Sequence, residues 1–445
     1  MLALLHHPVF RRLYAAQLIA LAGTGLLTVA LGLLAYDLAG GRAGAVLGTA
    51  YAIKMVAYVG LSPVAAALVA KMPRRAVLIS ADLIRAGVAL ALPFVDAVWQ
   101  IYVLVFVLQA ASATFTPTFQ AVIPDVLPDE EDYTRALSLS RLAYDLENLA
   151  SPALAALLLT MMSYSMLFLG TVAGFAASAI LVRTVALPPQ GTPRTMRPFS
   201  ERLTRGIRIY LATPRLRGLL ALNLAAASTG AFVLVNTVVL VRDGFGASEA
   251  QVAVAMAAFG AGSIVAALAL PRILGHLRDR TVMQRAGWAL AISTLALALG
   301  MQMGGLPEWP WFLAIWCGIG LLYSAILTPS GRLLHRSTHK EDRPAIFAAQ
   351  FALSHACWLV TYPVAGLLGS AWGLAPTLGI LGVLATIGAL TAWRVWPKDT
   401  SAPLPHDHPD MPETHPHLRA YPGHGHHHTH PVVIDDEHHD WPSHG

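Results

Sequence analysis

Near its middle the chain reads Leu187-Pro-Pro-Gln-Gly-Thr-Pro-Arg-Thr-Met-Arg-Pro-Phe-Ser-Glu201, and the residues that follow, up to Gly218, are rich in arginine. This stretch is polar, basic and broken by proline, so it cannot lie in hydrocarbon, where charged groups are costly. Long apolar runs lie on both sides of it, six on each side. We therefore interpret residues 188–217 as a basic hinge loop between two halves of a membrane protein.

The composition supports that interpretation. Of the 445 residues, 56% are hydrophobic and only 12% are charged, whereas soluble domains carry roughly 25% charged residues. A helix needs about 20 apolar residues to span a bilayer. The apolar runs therefore predict an all-α polytopic membrane protein with twelve transmembrane helices, at 13–36, 45–69, 76–95, 99–122, 137–160, 164–186, 218–241, 247–270, 286–304, 311–328, 346–369 and 374–396.

The distribution of positive charge predicts the orientation in the membrane. The segments on one side, with the adjoining helix ends, hold 26 of the 30 Lys and Arg residues, and the loops on the other side hold Arg42 and Arg242. Cytoplasmic loops carry such an excess of Lys and Arg. We predict that both termini and the hinge are cytoplasmic, in the plasma (inner) membrane. The net charge of +5 thus reflects membrane orientation and gives no reason to expect nucleic-acid binding.

An internal repeat relates the two halves. The sequence Ser112-Ala-Thr-Phe-Thr-Pro117 recurs 212 residues later as Ser324-Ala-Ile-Leu-Thr-Pro329, at the ends of the fourth and tenth predicted spans. Repeated halves are typical of transporters, whose substrate site lies between them near the membrane midplane. The predicted organisation is two pseudo-symmetric six-helix halves at 1–187 and 218–396, joined by the hinge at 188–217 and followed by a tail at 397–445.

The loop after the second span carries a family resemblance. It reads Ala66-Ala-Leu-Val-Ala-Lys-Met-Pro-Arg-Arg75, and it resembles the signature Gly-x-Leu-x-Asp-Arg-x-Gly-Arg-Arg of the major facilitator superfamily. Ala70 stands at the acidic position of that signature, and the residues that match it are Leu68, Lys71, Arg74 and Arg75. The resemblance covers residues 1–396 and implies the major facilitator fold and a transport function.

A finer resemblance rests on the region around the fifth span. The sequence Phe115-Thr-Pro-Thr-Phe-Gln-Ala-Val-Ile-Pro-Asp125 is followed by Arg135-Ala-Leu-Ser-Leu139 and by Leu139-Ser-Arg-Leu-Ala-Tyr-Asp-Leu-Glu-Asn-Leu-Ala-Ser-Pro152. These stretches resemble the branch that contains the enterobactin exporter. Together with a histidine-rich tail, the chain is similar to NreB-type nickel-resistance exporters. This resemblance implies efflux of nickel, with cobalt as the second candidate.

Charged residues inside the predicted spans are candidate pathway residues, because each is costly in the membrane. Asp82 and Arg85 in the third span are spaced i,i+3 and can neutralise each other on one helix face. Two interpretations stay open for them, a structural ion pair within the N-terminal half and a role in gating or coupling.

The fifth span has a polar arc opposite a leucine face, which places the arc toward protein or water. Carboxylate and amide oxygens suit hard or borderline divalent cations, and a carboxylate can also exchange protons. The alternative is a hydrogen-bond network that closes a gate. The candidate residues of this arc are Arg141, Asp145, Glu147 and Asn148.

Further candidates are spread over other spans. Gln17 shares one face of the first span with Thr24 and Thr28, and Asp37 closes the outer end of that span. Lys54 lies deep in the second span and requires an acidic partner. His355 in the eleventh span is either an imidazole ligand or a packed, hydrogen-bonded residue.

The tail differs in kind from the rest of the chain. Its proline, glycine and charge predict disorder in the absence of a ligand. Imidazole without thiolate suits Zn(II), Cu(II), Ni(II) or Co(II). Twelve of the chain's 18 histidines lie in it and are the predicted metal ligands, namely His406, His408, His415, His417, His424, His426, His427, His428, His430, His438, His439 and His444.

These observations lead to one principal hypothesis. We expect efflux of divalent transition-metal ions, nickel first and cobalt second, by alternating access with proton antiport. The alternatives are an exporter of a siderophore, metal chelate or drug with a metal-sensing tail, and a non-transporting metal sensor or store. We expect no resident cofactor, a monomer in the lipid bilayer, and no enzymatic activity, since the sequence contains neither a nucleotide loop nor a zinc-protease or nucleophile motif.

Overall fold

A computed structural model gives the fold of the chain. It describes residues 2–61, 72–127, 129, 132, 136, 139, 140, 143, 147, 151, 153–187, 199–339, 342–398, 404–407, 418, 427–430, 433–435, 438 and 441. The helices of the first half are α1 (Pro8–Ala39), α2 (Ala43–Val56), α3 (Arg74–Ala91), α4 (Val98–Val126) and α5 (Tyr164–Arg183). Residues 153–159, at the end of the predicted fifth span, are also helical.

The remaining helices follow the hinge. They are α6 (Phe199–Ala212), α7 (Pro214–Val239), α8 (Glu249–His276), α9 (Asp279–Gly304), α10 (Trp309–Leu327), α11 (Ser330–Arg336), α12 (Arg343–Pro363), α13 (Gly369–Trp372) and α14 (Leu374–Val395). Short 3-10 turns lie at Leu2–His6, Gly40–Arg42 and Leu92–Phe94, and π turns extend α2, α7 and α12 over Ala57–Leu61, Leu240–Gly244 and Val364–Leu368. Two short strands, β1 (Leu404–Asp407) and β2 (His427–His430), pair antiparallel in the tail.

Ten segments among the described residues are long and apolar enough to cross a membrane. The first, Pro8–Gly60, contains the first predicted span and residues 45–60 of the second, because only the 3-10 turn Gly40–Arg42 separates α1 from α2. Gly40 has φ 53°, a backbone conformation that favours glycine, and it ends α1. The predicted fifth span lies mostly outside the described residues. The all-helical membrane fold is confirmed, and the number of twelve spans stays a prediction.

Each half is built around one buried helix. In the C-terminal half α7 is buried on nearly all sides, since 89% of its most apolar stretch is buried. It packs against α14, α12, α9 and α10. In the N-terminal half α1 packs against α5 and α2, while α3 lies between α5 and α4. Elsewhere the outer faces of the helices are apolar and exposed, as helices in contact with lipid require.

The two halves point in the same direction. The C-terminal end of α1 meets that of α7, where the Tyr36 hydroxyl donates a hydrogen bond to the Asp243 carboxylate. The N-terminal ends of both helices, with Arg12 and Arg215, therefore lie together at the opposite end of the molecule. We call the end with Tyr36 and Asp243 the far end and the other the basic end. Which end faces the cytoplasm stays a prediction.

The hinge is more ordered than the sequence analysis expected. The interpretation of 188–217 as a loop is wrong for 199–212, which form α6, and the proposed boundary at 218 falls inside α7, which begins at Pro214. The α6 helix packs on α12, and the Arg205 guanidinium forms an ion pair with Asp342 at 2.6 Å. Burial raises the pKa of the Tyr210 phenol, which donates a hydrogen bond to Gln350. The basic residues thus lie on one face of a docked amphipathic helix.

The tail also differs from the expectation of disorder, which is wrong for the residues that the structure describes there. Besides the two strands, Ile434 is 1% exposed and packs on the core of the C-terminal half. The Trp441 ring lies 5.8 Å from the Arg215 guanidinium. A cation–π contact and one buried isoleucine are enough to hold this segment against the basic end.

Candidate transport pathway

A small cavity of about 30 Å³ lies inside the N-terminal half, between α1, α2, α3 and α4. A second, of about 20 Å³, lies where α1 and α2 meet α7 and α8 of the C-terminal half. Thr28 and Tyr51 line both, so the two cavities are neighbours at the interface between the halves. Such volumes hold about one or two water molecules. The polar residues of the first cavity are Thr24, Thr28, Tyr51, Lys54 and Gln109.

Lys54 of this cavity has the acidic partner that the sequence analysis required. The Glu147 carboxylate acts electrostatically on the Lys54 ammonium, and Lys54 acts in return on Glu147. The Lys54 Nζ atom also lies 5.9 Å from the centre of the Tyr58 ring, one turn further along α2. Opposite charges in a low-dielectric region stabilise each other strongly. Lys54 therefore brings one member of an oppositely charged pair to the lining of the cavity.

An aromatic face of α12 lies across from Tyr58. Phe351 and His355 contact each other with ring centres 3.9 Å apart, and both rings lie about 6 Å from Tyr58, at 6.1 and 5.9 Å. His355 Nδ1 donates a hydrogen bond of 2.7 Å to the Phe351 carbonyl. This imidazole is thus tied to its own helix by one nitrogen, and among the described residues its ring neighbours are aromatic groups rather than metal ligands.

The aromatic face continues toward the far end. Trp358 and Tyr362 stack at 4.9 Å, and Tyr362 meets Tyr51 of α2 at 5.0 Å. Phe351, His355, Trp358 and Tyr362 are spaced i, i+4, i+7 and i+11, so they share one side of α12. Val360, on the opposite side, is 56% exposed, as expected toward lipid. Phe351 is 42% exposed although its ring contacts Tyr58 of the N-terminal half, so this contact between the halves is only partly covered.

Asp82 and Arg85 form an ion pair in a different setting. The Asp82 carboxylate is fully buried, pairs with Arg85 and accepts a hydrogen bond of 2.7 Å from the Ser178 hydroxyl. The Arg85 guanidinium lies between the rings of Phe115 and Phe175, at 4.3 and 4.5 Å. All of these partners belong to α3, α4 and α5. The pair is enclosed within the N-terminal half, away from the interface.

Two further predicted pathway residues are also bonded within the N-terminal half. Gln17 is buried, and its side-chain oxygen accepts a hydrogen bond of 3.1 Å from the Ser140 hydroxyl. The Asp37 carboxylate at the far end accepts one of 2.5 Å from the Tyr164 hydroxyl. Neither residue lines the cavities that the structure describes, and their role in transport stays a prediction.

The far end is closed by contacts between the halves. The Arg242 guanidinium lies 5.3 Å from the centre of the Tyr36 ring, beside the Tyr36–Asp243 hydrogen bond. Deeper in, α2 approaches the end of α12 so closely that a Cβ atom on Gly48 would lie 2.6 Å from the Tyr362 carbonyl oxygen. Only glycine permits that approach. The halves are therefore tightly packed at the far end, whereas the contact at Phe351 is partly exposed.

The remaining predicted residues lie largely outside the described part of the chain. Three residues of the fifth-span arc lie outside the described residues, namely Arg141, Asp145 and Asn148. Of the tail histidines, the side chain of His427 is hydrogen-bonded to Asp407 at 2.6 Å and that of His438 to Asp435 at 2.9 Å. Among the described residues no group of three or more His, Cys, Asp or Glu is arranged to hold a metal ion. The remaining tail histidines outside the described residues are His408, His415, His417, His424, His426, His439 and His444.

The aromatic face of α12 was missed in the sequence analysis, which singled out His355 alone. Its spacing could have revealed it, because Phe351, His355, Trp358 and Tyr362 recur at helical intervals. A charge cluster at the basic end was missed as well. There the Asp279 carboxylate accepts hydrogen bonds from Arg332 at 2.5 Å and Arg336 at 3.3 Å. Those partners lie 53 and 57 residues away along the chain, a separation at which sequence alone gives no signal.

Apolar outer faces, buried polar groups and neighbouring cavities at the interface of two helical halves define a multi-pass membrane transporter. Residues 13–296 and 219–432 match the Major Facilitator Superfamily, and the chain belongs to that superfamily. It is therefore a transporter rather than an enzyme. The superfamily resemblance is confirmed, whereas the finer resemblance to NreB-type nickel exporters stays a prediction.

Individual relatives are distant. The chain is 23% identical over 319 residues to macrolide efflux protein A of Streptococcus pyogenes, with 69% of this chain and 76% of that protein covered. Its fold is similar to that of a mutant of the nucleoside transporter NupG, with a TM-score of 0.68, 12% identity, and 87% and 100% of the two chains covered. A bacterial homologue of the human lysosomal transporter Spinster, in an inward-facing and unoccupied conformation, also gives 0.68 at 12% identity, with 88% and 98% covered.

Proposed function

We propose that this transporter exports an organic molecule that carries aromatic or other flat apolar groups, across the plasma membrane. The observation that carries the proposal is the pairing of the α12 aromatic face with Tyr58 across the two halves, where the Phe351 ring stays 42% exposed. Aromatic side chains contribute a large contact area and prefer stacked or edge-on partners. The similarity to macrolide efflux protein A supports the direction of transport.

The Lys54–Glu147 pair is the proposed coupling centre. While both groups are charged they offset each other's cost beside the cavity, which favours the closed interface. Protonation of Glu147 would leave the Lys54 ammonium without its counter-charge and so favour a state in which water reaches it. Proton uptake at Glu147 on one side of the membrane and release on the other would thus drive alternating access as proton antiport.

A second candidate is efflux of nickel or cobalt ions, favoured by the histidine-rich tail. Against it, Lys54 lines the first cavity, and its positive charge opposes a divalent cation about twice as strongly as a monovalent one such as ethidium. In this second candidate Glu147, with Asp145 and Asn148, would exchange the metal ion for protons. In the first candidate the tail has a regulatory role only.

Transport into inside-out vesicles that contain the full chain separates the candidates. The probes are ethidium, a planar aromatic molecule, and Ni²⁺, each with and without a pH gradient. We expect gradient-dependent accumulation of ethidium and none of nickel. Accumulation of nickel alone would support the second candidate and contradict the first.

Variants on α12 locate the site in the same assay. Phe351→Ala removes a ring of the aromatic face, and the expected loss of ethidium transport is about threefold to tenfold, the worth of one aromatic contact. Val360→Ala is the matched control, because Val360 lies on the opposite, exposed side of the same helix. Equal rates for the two variants would show that the α12 aromatic face does not contact the cargo.

A further inference from the structure

The cavity of about 30 Å³ in the N-terminal half is lined by two buried polar side chains that bond to nothing around them. Gln109 of α4 and Tyr51 of α2 are each only 8% exposed. Among the residues that the structure describes, neither the Gln109 amide nor the Tyr51 hydroxyl has a hydrogen-bond partner. Buried polar side chains are hydrogen-bonded in the great majority of cases. Two such groups beside one cavity therefore indicate that the cavity receives a polar group.

The polar groups of the cavity are mainly available as donors. The hydroxyls of Thr24 and Thr28 already donate hydrogen bonds of 3.0 and 3.1 Å to carbonyls four residues earlier in their own helix. The Lys54 ammonium can only donate, while the Gln109 amide and the Tyr51 hydroxyl can donate as well. The free donors thus come from α2 and α4, and the group that fits between them is a hydrogen-bond acceptor.

The charges around the cavity favour a neutral acceptor. Glu147 already offsets the charge of the Lys54 ammonium, so a carboxylate beside Lys54 would add a second negative charge near Glu147. Like charges repel strongly in a low-dielectric region, and a cationic group would be repelled by Lys54 itself. A carbonyl oxygen has two lone pairs and no net charge, and it therefore satisfies the donors without upsetting this balance.

The size and position of the cavity suit one end of a larger molecule. A volume of about 30 Å³ holds one or two water molecules, so it admits a single oxygen-bearing group and not a ring. The Tyr51 ring meets Tyr362 of the α12 aromatic face at 5.0 Å, and Lys54 lies on the same side of α2, three residues further on. An acceptor bound in the cavity would therefore adjoin the aromatic face of α12.

We propose that Tyr51, Lys54 and Gln109 form a polar subsite that binds a carbonyl group of the exported molecule, while the flat part of that molecule lies on the aromatic face of α12. This inference rests on the proposed function and narrows the cargo to flat aromatic ketones and related carbonyl compounds. A group that reproduces the hydrogen bonds of a displaced water keeps its affinity, whereas an apolar group loses it. The subsite would therefore select among flat molecules of equal size.

Fluorene and 9-fluorenone test the proposal, because these flat tricyclic molecules differ only in a carbonyl that replaces a methylene group. The readout is the concentration at which each compound halves ethidium transport in inside-out vesicles that contain the full chain. We expect fluorenone to act at about threefold to tenfold lower concentration than fluorene, which is the net worth of one hydrogen bond.

Two variants remove the donors one at a time. Gln109→Leu lacks the amide and Tyr51→Phe lacks only the hydroxyl, so each should bring the two concentrations to within about twofold of each other. Tyr102→Phe is the matched control, because it removes the same hydroxyl from α4 outside both cavities, and it should keep the preference for fluorenone. The parent's preference in both Gln109→Leu and Tyr51→Phe would overturn the proposal.

Failure of the subsite and failure of the proposed function give different results. Ethidium transport that fluorene and fluorenone inhibit equally would leave the proposed function standing and overturn the subsite, as expected of a cavity that holds water alone. If ethidium is not transported, the proposed function fails and binding tests the subsite, since a ligand of the folded state raises the unfolding temperature. In detergent, fluorenone should raise it more than fluorene does in the parent but not in Gln109→Leu. Equal shifts in the parent would contradict the subsite.

Discussion

Two charge pairs lie within the membrane region of this transporter, and their surroundings differ. Asp82 and Arg85 belong to one helix; Asp82 accepts a hydrogen bond from Ser178, and Arg85 lies between two aromatic rings of the same half. Lys54 and Glu147 come from different spans and interact electrostatically, and Lys54 lines a cavity. The first pair is held by neighbours that stay together when the halves move, whereas the second lies beside the interface between the halves.

The difference shows that burial of a charge inside a membrane does not by itself indicate a role in transport. A pair whose partners all belong to one rigid half can stabilise that half without changing during the cycle. A pair beside the interface changes its solvent exposure whenever the halves separate. We therefore propose a structural role for Asp82 and Arg85 and a transport role for Lys54 and Glu147.

The largest expected effect concerns the enclosed pair. Asp82→Asn leaves the Arg85 guanidinium buried without its counter-charge, which costs on the order of 3–5 kcal/mol. The expected result is a large loss of folded protein and of thermal stability in detergent. Measurement of the unfolding temperature by intrinsic fluorescence, together with the yield of monodisperse protein, checks it.

A double variant separates loss of charge from loss of shape. Replacement of a buried ion pair by apolar residues of similar volume is often neutral or stabilising, so Asp82→Leu/Arg85→Met should recover most of the stability lost in Asp82→Asn. The recovered protein should also transport ethidium. A stable but inactive double variant would show that the pair has a role in the transport cycle and would contradict the comparison drawn above.

The second effect concerns Lys54. Lys54→Gln removes the positive charge that acts on Glu147, and we expect at least about a tenfold loss of gradient-driven transport, equivalent to about 1.4 kcal/mol, with a smaller loss of thermal stability than in Asp82→Asn. Transport per folded molecule in vesicles is the measurement. Lys398→Gln, at the basic end beyond the last helix, is the control and should transport as the parent does.

The smallest effect concerns the closure of the far end. Gly48→Ala places a Cβ atom within 3 Å of backbone atoms of Tyr362 and Gly366, so the halves must separate there. We expect a shift of about 1 kcal/mol, about fivefold, toward the conformation that is open at the far end, which is the low end of the cost of overpacking. Labelling of a single cysteine introduced at Thr237, which lines the second cavity, should become faster.

The control for that measurement is Gly300→Ala in α9. A Cβ atom at Gly300 meets nothing within 4 Å, so labelling should stay at the parent rate. If Gly48→Ala also leaves the rate unchanged, the close approach of α2 to α12 does not keep the far end closed.

The sequence was sufficient for the fold because apolar runs and charge asymmetry are local signals. The ten apolar helices that the structure describes lie where the runs predicted spans. The i,i+3 spacing of Asp82 and Arg85 likewise predicted their ion pair, because a helix brings such residues together whatever surrounds it. Orientation, the metal ligands and the role of each candidate residue stay predictions.

The relations between distant segments could not be obtained in this way. Nothing in the sequence links Lys54 to Glu147, which are 93 positions apart, until the helices pack. The docking of α6 on α12 escaped prediction because proline and arginine suggested a loop. The tail was expected to be disordered for the same reason, since composition does not report strand pairing such as that of β1 with β2.

The most direct test of the central claim is ethidium transport by Glu147→Gln, measured with and without a pH gradient in inside-out vesicles. Glutamine keeps the shape of the side chain but can neither release a proton nor offset the Lys54 charge. We predict that exchange of ethidium across the membrane persists in this variant, while stimulation by the pH gradient is lost. Stimulation by the gradient equal to that of the parent protein would contradict the assignment of Glu147 as the coupling residue.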